Sequence, residues 1–148
     1  MIEFGRFTVS GEHEGAIGDM PIVLLPHELG QAYPWWSDDT RAMLDAFPFT
    51  LSGLRVCDFG SGASAILGVA MWQLGAAHVT CVERYAELRE VAERTLALNG
   101  VEGEVVAATE GGFDFIAANV GDDELVEGLQ RAAPHGIGTG QGGRLIRW

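Results

Sequence analysis

Lysine is absent from this 148-residue chain: all nine of its basic residues are arginine. That excludes every mechanism built on a Schiff-base lysine, a phosphate-loop lysine or a pyridoxal-phosphate attachment point. Positive charge is scarce altogether, with 21 acidic residues and a formal net charge of −12. Nucleic-acid binding needs a basic surface that releases counterions from phosphates, so no nucleic-acid partner is expected. Cysteine is scarcer still. Cys57 and Cys81 both lie in apolar runs, which suits reduced core residues of a cytoplasmic protein better than a disulfide scaffold. No apolar run nears the roughly 18 residues of a membrane span. The start, MIEFGRFTVS, lacks the basic and apolar regions of a signal peptide, so no membrane association is expected. His13, His27, His78 and His135 have no ligand spacing, and no metal site is expected from them.

What is present is an ordinary globular balance, 47% hydrophobic and 20% charged, sized for a single domain spanning 1–148. Acidic charge is concentrated at the flanks. Residues 1–50 hold eight acids and two arginines, residues 101–148 eight and three, and the middle five and four. Residues 1–36 form an N-terminal extension expected to pack on the rest, with EFGRFTV as a strand and the proline-bracketed Pro21–Pro26 as another. Ser37 is a good N-cap for a helix with Asp38 and Asp39 in its first turn, and Pro48 ends it.

The middle of the chain alternates strand and helix. Leu54–Phe59 reads as a strand, Gly60-Ser61-Gly62 as a turn, and Ala65–Leu74 as an apolar helix closed by Gly75. His78–Glu83 is a second strand, and Ala86–Leu98 an amphipathic helix stopped by Asn99-Gly100. Glu104–Ala108 and Phe113–Ala118 are further strands, followed by a helix from Asp122. Gly136–Gly143 reads as a mobile linker and Arg144–Trp148 as a fifth strand. This alternation implies a doubly wound, mainly parallel α/β sheet.

Such sheets bind ligands beyond the carboxyl ends of their strands, at the point where strand order reverses. Those ends carry Asp58-Phe59-Gly60-Ser61-Gly62, then Glu83-Arg84, then Thr109-Glu110, then Asn119. Gly60 and Gly62 permit a tight turn and close backbone approach to a ligand. Glu83, 25 residues after Asp58, stands where an acid accepts hydrogen bonds from ribose hydroxyls. Dinucleotides and adenosyl cofactors share this geometry. Asp58 separates them, because an acid two residues before the first glycine suits a cationic ligand better than a pyrophosphate. Plainer readings stand beside these: the glycine turn as ordinary strand-to-helix punctuation, Glu110 as a solvated loop acid, Asn119 as a helix cap, and Trp35-Trp36 as core.

The run VCDFGSGASAILGVAMWQLGAAHVTCVER resembles motifs I and II of class I S-adenosylmethionine-dependent methyltransferases, and FDFIAANV is similar to their motif IV. Within that superfamily, IVLLPHELGQAYPWWSDDTRAMLDAF is similar to the segment before motif I in ribosomal-protein and electron-transfer-flavoprotein lysine methyltransferases. The likeness covers about residues 20–132. It implies a Rossmann-like sheet of about five strands, ordered 3-2-1-4-5, lacking the usual last two. It implies S-adenosylmethionine as cofactor, with Asp58, Gly60 and Gly62 at its methionine end, Glu83 at the ribose, Glu110 near the adenine, and Ser61 and Arg84 also binding it. Asn119 would border the methyl-transfer site as its catalytic positioning residue and also touch the cofactor, while Tyr33, Trp35 and Trp36 would wall the substrate pocket. The position of the third motif glycine is Ser64.

Methyl transfer to a protein side chain or small amine needs no nucleophilic side chain of the protein, which agrees with the lack of a triad or metal motif. Glu28, Asp38 and Asp39 on one flank, and Asp122, Asp123 and Glu124 on the other, form an acidic mouth suited to a cationic protein or amine. A non-catalytic S-adenosylmethionine-binding protein and a nicotinamide-binding module remain alternatives. An exposed last strand would offer an edge for a homodimer.

Overall fold

The computed structural model describes residues 1–25 and 37–148. Its frame is a six-stranded sheet built from β4 (Arg55–Phe59), β5 (His78–Val82), β6 (Gly103–Val106), β7 (Phe115–Asn119), β8 (His135–Thr139) and β9 (Leu145–Arg147). The order is β6-β5-β4-β7-β8-β9, parallel throughout except for the antiparallel β8–β9 pair. The chain winds outward from β4 to β6, returns, and continues from β7 on the other side of β4. The reversal therefore falls between β4 and β7, where a crevice opens at the strands' carboxyl ends.

The mainly parallel sheet and the order of its first five strands agree with expectation, and the sheet has one strand more than the about five expected. The fifth parallel strand is His135–Thr139, inside the stretch that reads as a mobile linker, and Leu145–Arg147 is a sixth strand running the other way. The glycines that resemble a loop are demanded by packing. A Cβ on Gly136 would run into the Trp148 ring, and one on Gly138 would lie 3.2 Å from both Val126 methyls. That face of β8 has no room for side chains because α4 (Asp123–Gln130) and Trp148 press against it. Its other face carries Ile137 and Thr139, both buried.

Among the described residues three further α-helices accompany α4: α1 (Asp38–Ala46), α2 (Ile66–Gln73) and α3 (Ala86–Leu98). Ser37 caps α1 as expected, its hydroxyl accepting the Thr40 N–H at 3.2 Å. The amino-terminal strands form a separate sheet. EFGRFTV is two strands, β1 (Ile2–Phe4) and β2 (Phe7–Gly11), because the chain reverses at Gly5, which takes φ +57°. β2 pairs in parallel with β3 (Pro21–Leu24). Phe4, Phe7, Val9, Ile22 and Leu24 share one apolar cluster with Met43, Leu44 and Met71. The free edge of β3 is tied down by side chains. Asn99 accepts the Val23 N–H at 2.8 Å and donates to the Val23 carbonyl at 2.7 Å, while Gln73 donates to the Pro21 carbonyl at 2.7 Å.

Candidate functional site

The glycine turn after β4 is a fixed structure. The Gly60 and Ser61 N–H groups both donate to the Val82 carbonyl, at 2.9 and 3.1 Å, locking the turn to the end of β5. Gly60 and Gly62 have φ of +73° and +62°, where a Cβ is strained. Gly60 is also closely packed, since a Cβ there would sit 3.1 Å from a Val120 methyl. Ala65 takes φ +48°, the one described non-glycine residue at positive φ, immediately before α2. Strain of this kind is retained where surroundings over-determine it, as at ligand sites.

Asp58 is buried, with 1% of its surface exposed. Ala65 offers no side-chain cap to α2, and Asp58 supplies one from the neighbouring strand: its Oδ2 accepts the Gly68 N–H at 2.9 Å. Gly68 makes that approach possible, because a Cβ there would meet Cys81 Sγ and a Val79 methyl at 3.1 Å and Asp58 Oδ2 at 3.4 Å. Burial pushes the Asp58 carboxyl up to about 7; the Gly68 hydrogen bond opposes this and the nearby Glu83 charge adds to it. One backbone donor is meagre compensation for a buried carboxylate. A cationic ligand group in the adjoining cavity would supply what is missing.

Two cavities meet at Gly60. The first, about 560 Å³, is lined by Ser37, Thr40, Asp58, Gly62 and Asn119 among others. The second, about 470 Å³, is lined by Glu83, Arg84, Tyr85, Ala107 and Leu125, with Val120 shared between the two. Glu83 is 8% exposed and its Oε2 lies 3.4 Å from the Gly62 nitrogen. The turn that follows is held by Arg89, which donates to the carbonyls of Glu83 and Arg84 at 3.0 and 2.8 Å. The Arg84 guanidinium lies 4.7 Å from the centroid of the Tyr85 ring.

The structure thus gathers Asp58, Gly60, Ser61, Gly62, Glu83, Arg84 and Asn119 around one crevice. Glu110 is exposed and lines neither cavity, because the β6–β7 connection carries it outward. Tyr33, Trp35, Trp36 and Glu28 lie outside the described residues. Asn119 is not a helix cap; Asp122 caps α4, accepting the Leu125 N–H at 3.0 Å. Sequence reasoning misses Thr40, Thr139 and Arg89. Thr40 sits one turn into a helix whose N-cap is plain in the sequence, so its place at the cavity is within reach; Thr139 is hidden in the glycine stretch that resembles a linker.

No family model matches the chain. A search of solved structures places it beside a ribosomal protein L11 methylase from Lactobacillus delbrueckii subsp. bulgaricus, with TM-score 0.70, 24% identity, and 95% of this chain and 78% of that one covered. A SAM-dependent methyltransferase from Thiobacillus denitrificans, solved with S-adenosyl-L-homocysteine, matches with TM-score 0.56 and 16% identity over 75% of this chain and 51% of that one. The fold is that of the S-adenosylmethionine-dependent methyltransferases. In sequence its relatives are ribosomal protein L11 methyltransferases: one from Geotalea uraniireducens is 35% identical over 103 residues, and one from Geobacter sulfurreducens 36% over 111. These alignments take in 65% and 72% of this chain but 31% and 36% of the relatives, so the chain spans about a third of their length.

Proposed function

We propose that this chain binds S-adenosylmethionine across Gly60 and transfers its methyl group to an amine of a cationic protein. The observation that carries the reading is the pair of cavities meeting at a glycine turn, with buried Asp58 on one side and Glu83 on the other. When bound, the cofactor supplies a methyl group on cationic sulfur; the acceptor's lone pair takes the methyl, and the broken C–S bond's electrons remain on sulfur. Asp58 would face the cationic methionine end, where its negative charge is most useful. Glu83 would accept hydrogen bonds from the ribose, and Tyr85, Ala107 and Leu125 would wall the base. Asn119 and Thr40 would line the place where the acceptor enters. Positioning is most of what such a reaction asks of a protein.

The acceptor side is bordered by Asp39, while Asp122, the N-cap of α4, lines the second cavity and is followed by Asp123. Asp123 is partly neutralised by Arg144 at 3.1 Å. This acidic border, the net charge of −12 and the names of the relatives support a basic protein acceptor, ribosomal protein L11 being the first to test. We place the reaction in the cytoplasm, in keeping with two buried, unpaired thiols. The test is transfer of labelled methyl from S-adenosylmethionine to L11, other basic proteins, small amines and RNA. Preferred labelling of a basic protein is expected. Preferred labelling of RNA would overturn the acceptor assignment, and cofactor binding without transfer to any acceptor would overturn the enzyme reading.

A further inference from the structure

We infer that Thr139 is a positioning residue that fixes which end of the Asn119 amide faces the acceptor cavity. The inference rests on the methyl-transfer reading for its purpose, and on geometry alone for its substance. Parallel pairing sets Asn119, at the end of β7, directly opposite Thr139, at the end of β8. Thr139 is fully buried, and its hydroxyl donates to Asn119 Oδ1 at 2.9 Å. Among the described residues this is the hydroxyl's one hydrogen bond.

A buried hydroxyl without an acceptor costs about 1–3 kcal/mol. Turning the amide over would bring Nδ2, a donor, against that hydroxyl; the Thr139 oxygen could accept from it, but its own O–H would be left without an acceptor among the described residues and incur this cost. The carbonyl end of Asn119 is therefore held inward, and Nδ2 turns toward the cavity that Asn119 lines. There it lies 3.4 Å from Thr40 Oγ1, a loose contact, and Thr40 Oγ1 lies 3.2 Å from Ser37 Oγ. Tight on the buried side and slack on the open side, the amide presents an oriented hydrogen-bond donor to the cavity, placed to hold an oxygen of the incoming chain while the amine lone pair stays free for the methyl. Sequence gives no sign of this, since the two residues are 20 apart and one lies among glycines.

Thr139→Val keeps the shape and removes the hydroxyl, while Thr139→Ser keeps the hydroxyl. We expect Thr139→Val to lower kcat about 10- to 100-fold, the scale of a small misplacement of a reacting group. S-adenosylhomocysteine affinity should stay within about twofold, and Thr139→Ser should restore kcat. In an Asn119→Ala background Thr139→Val should cost nothing further, because the two act as one unit. A readout that needs no turnover is the pair of Asn119 side-chain amide resonances in a ¹⁵N-labelled sample. They should shift and lose exchange protection in Thr139→Val and keep their wild-type values in Thr139→Ser. Unchanged resonances in Thr139→Val, or additive losses in the double variant, would overturn the assignment. If the wild-type protein methylates nothing, the methyl-transfer reading falls, while the resonances still decide the role of Thr139.

Discussion

Replacing Asp58 by asparagine exposes how much stability the cofactor crevice sacrifices. In the folded protein burial holds the Asp58 carboxyl up to about 7, against a usual value of 3.8. Between those values the folded state binds a proton that the unfolded state has released. The stabilisation is complete below about 3.8 and is lost as pH rises through about 7. At 1.36 kcal/mol for each tenfold change, the full swing is on the order of 4 kcal/mol. The amide introduced by Asp58→Asn does not titrate, and its carbonyl oxygen can still accept the Gly68 N–H that Asp58 accepts at 2.9 Å. Any constant cost of burying the new NH₂ cancels when wild type and variant are compared across pH. Urea unfolding of both proteins from pH 4 to pH 8 should show wild type losing about 3–4 kcal/mol relative to Asp58→Asn. Cofactor affinity should fall in the variant by at least about tenfold, since a charge-assisted contact is lost. Two stability curves that run parallel with pH would refute the reasoning, because Asp58 would then titrate alike in folded and unfolded chains.

Other changes test the packing that supports the site. Gly68→Ala places a methyl 3.1 Å from Cys81 Sγ and a Val79 methyl; it should cost about 1–3 kcal/mol by urea unfolding and weaken S-adenosylhomocysteine binding as α2 moves off Asp58. Asn99→Ala removes both hydrogen bonds to Val23, and hydrogen exchange should show faster exchange at β3, with a loss of about 1–3 kcal/mol in global stability. Gly136→Ala drives a methyl into the Trp148 ring; the fluorescence of Trp148 should change, and stability should drop by about 1–3 kcal/mol, because β8 is a strand and not a linker.

The parts of the molecule most legible in the sequence are those where local pattern and tertiary demand coincide. Helix α3 occupies Ala86–Leu98, the span that its apolar stripe marks out, and its Asn99-Gly100 stop is where the helix ends. The turn from Asp58 to Gly62 and the acid at Glu83 are legible because close approach of backbone needs glycine and the sheet brings successive strand ends together. β8 is not, since its glycines answer to Trp148 and Val126, which only the folded chain brings near. The same holds for Asp58 as the cap of α2, a bond to Gly68 across two elements. Thr139 opposite Asn119 is likewise a product of register between parallel strands.

The most direct test of cofactor binding across Gly60 is calorimetric titration of the protein with S-adenosylhomocysteine at pH 8. We expect one-to-one binding with Kd in the micromolar range, about −8 kcal/mol. Absence of heat and of any saturable signal at concentrations up to about 1 mM, where binding would be worth only about −4 kcal/mol, would contradict it.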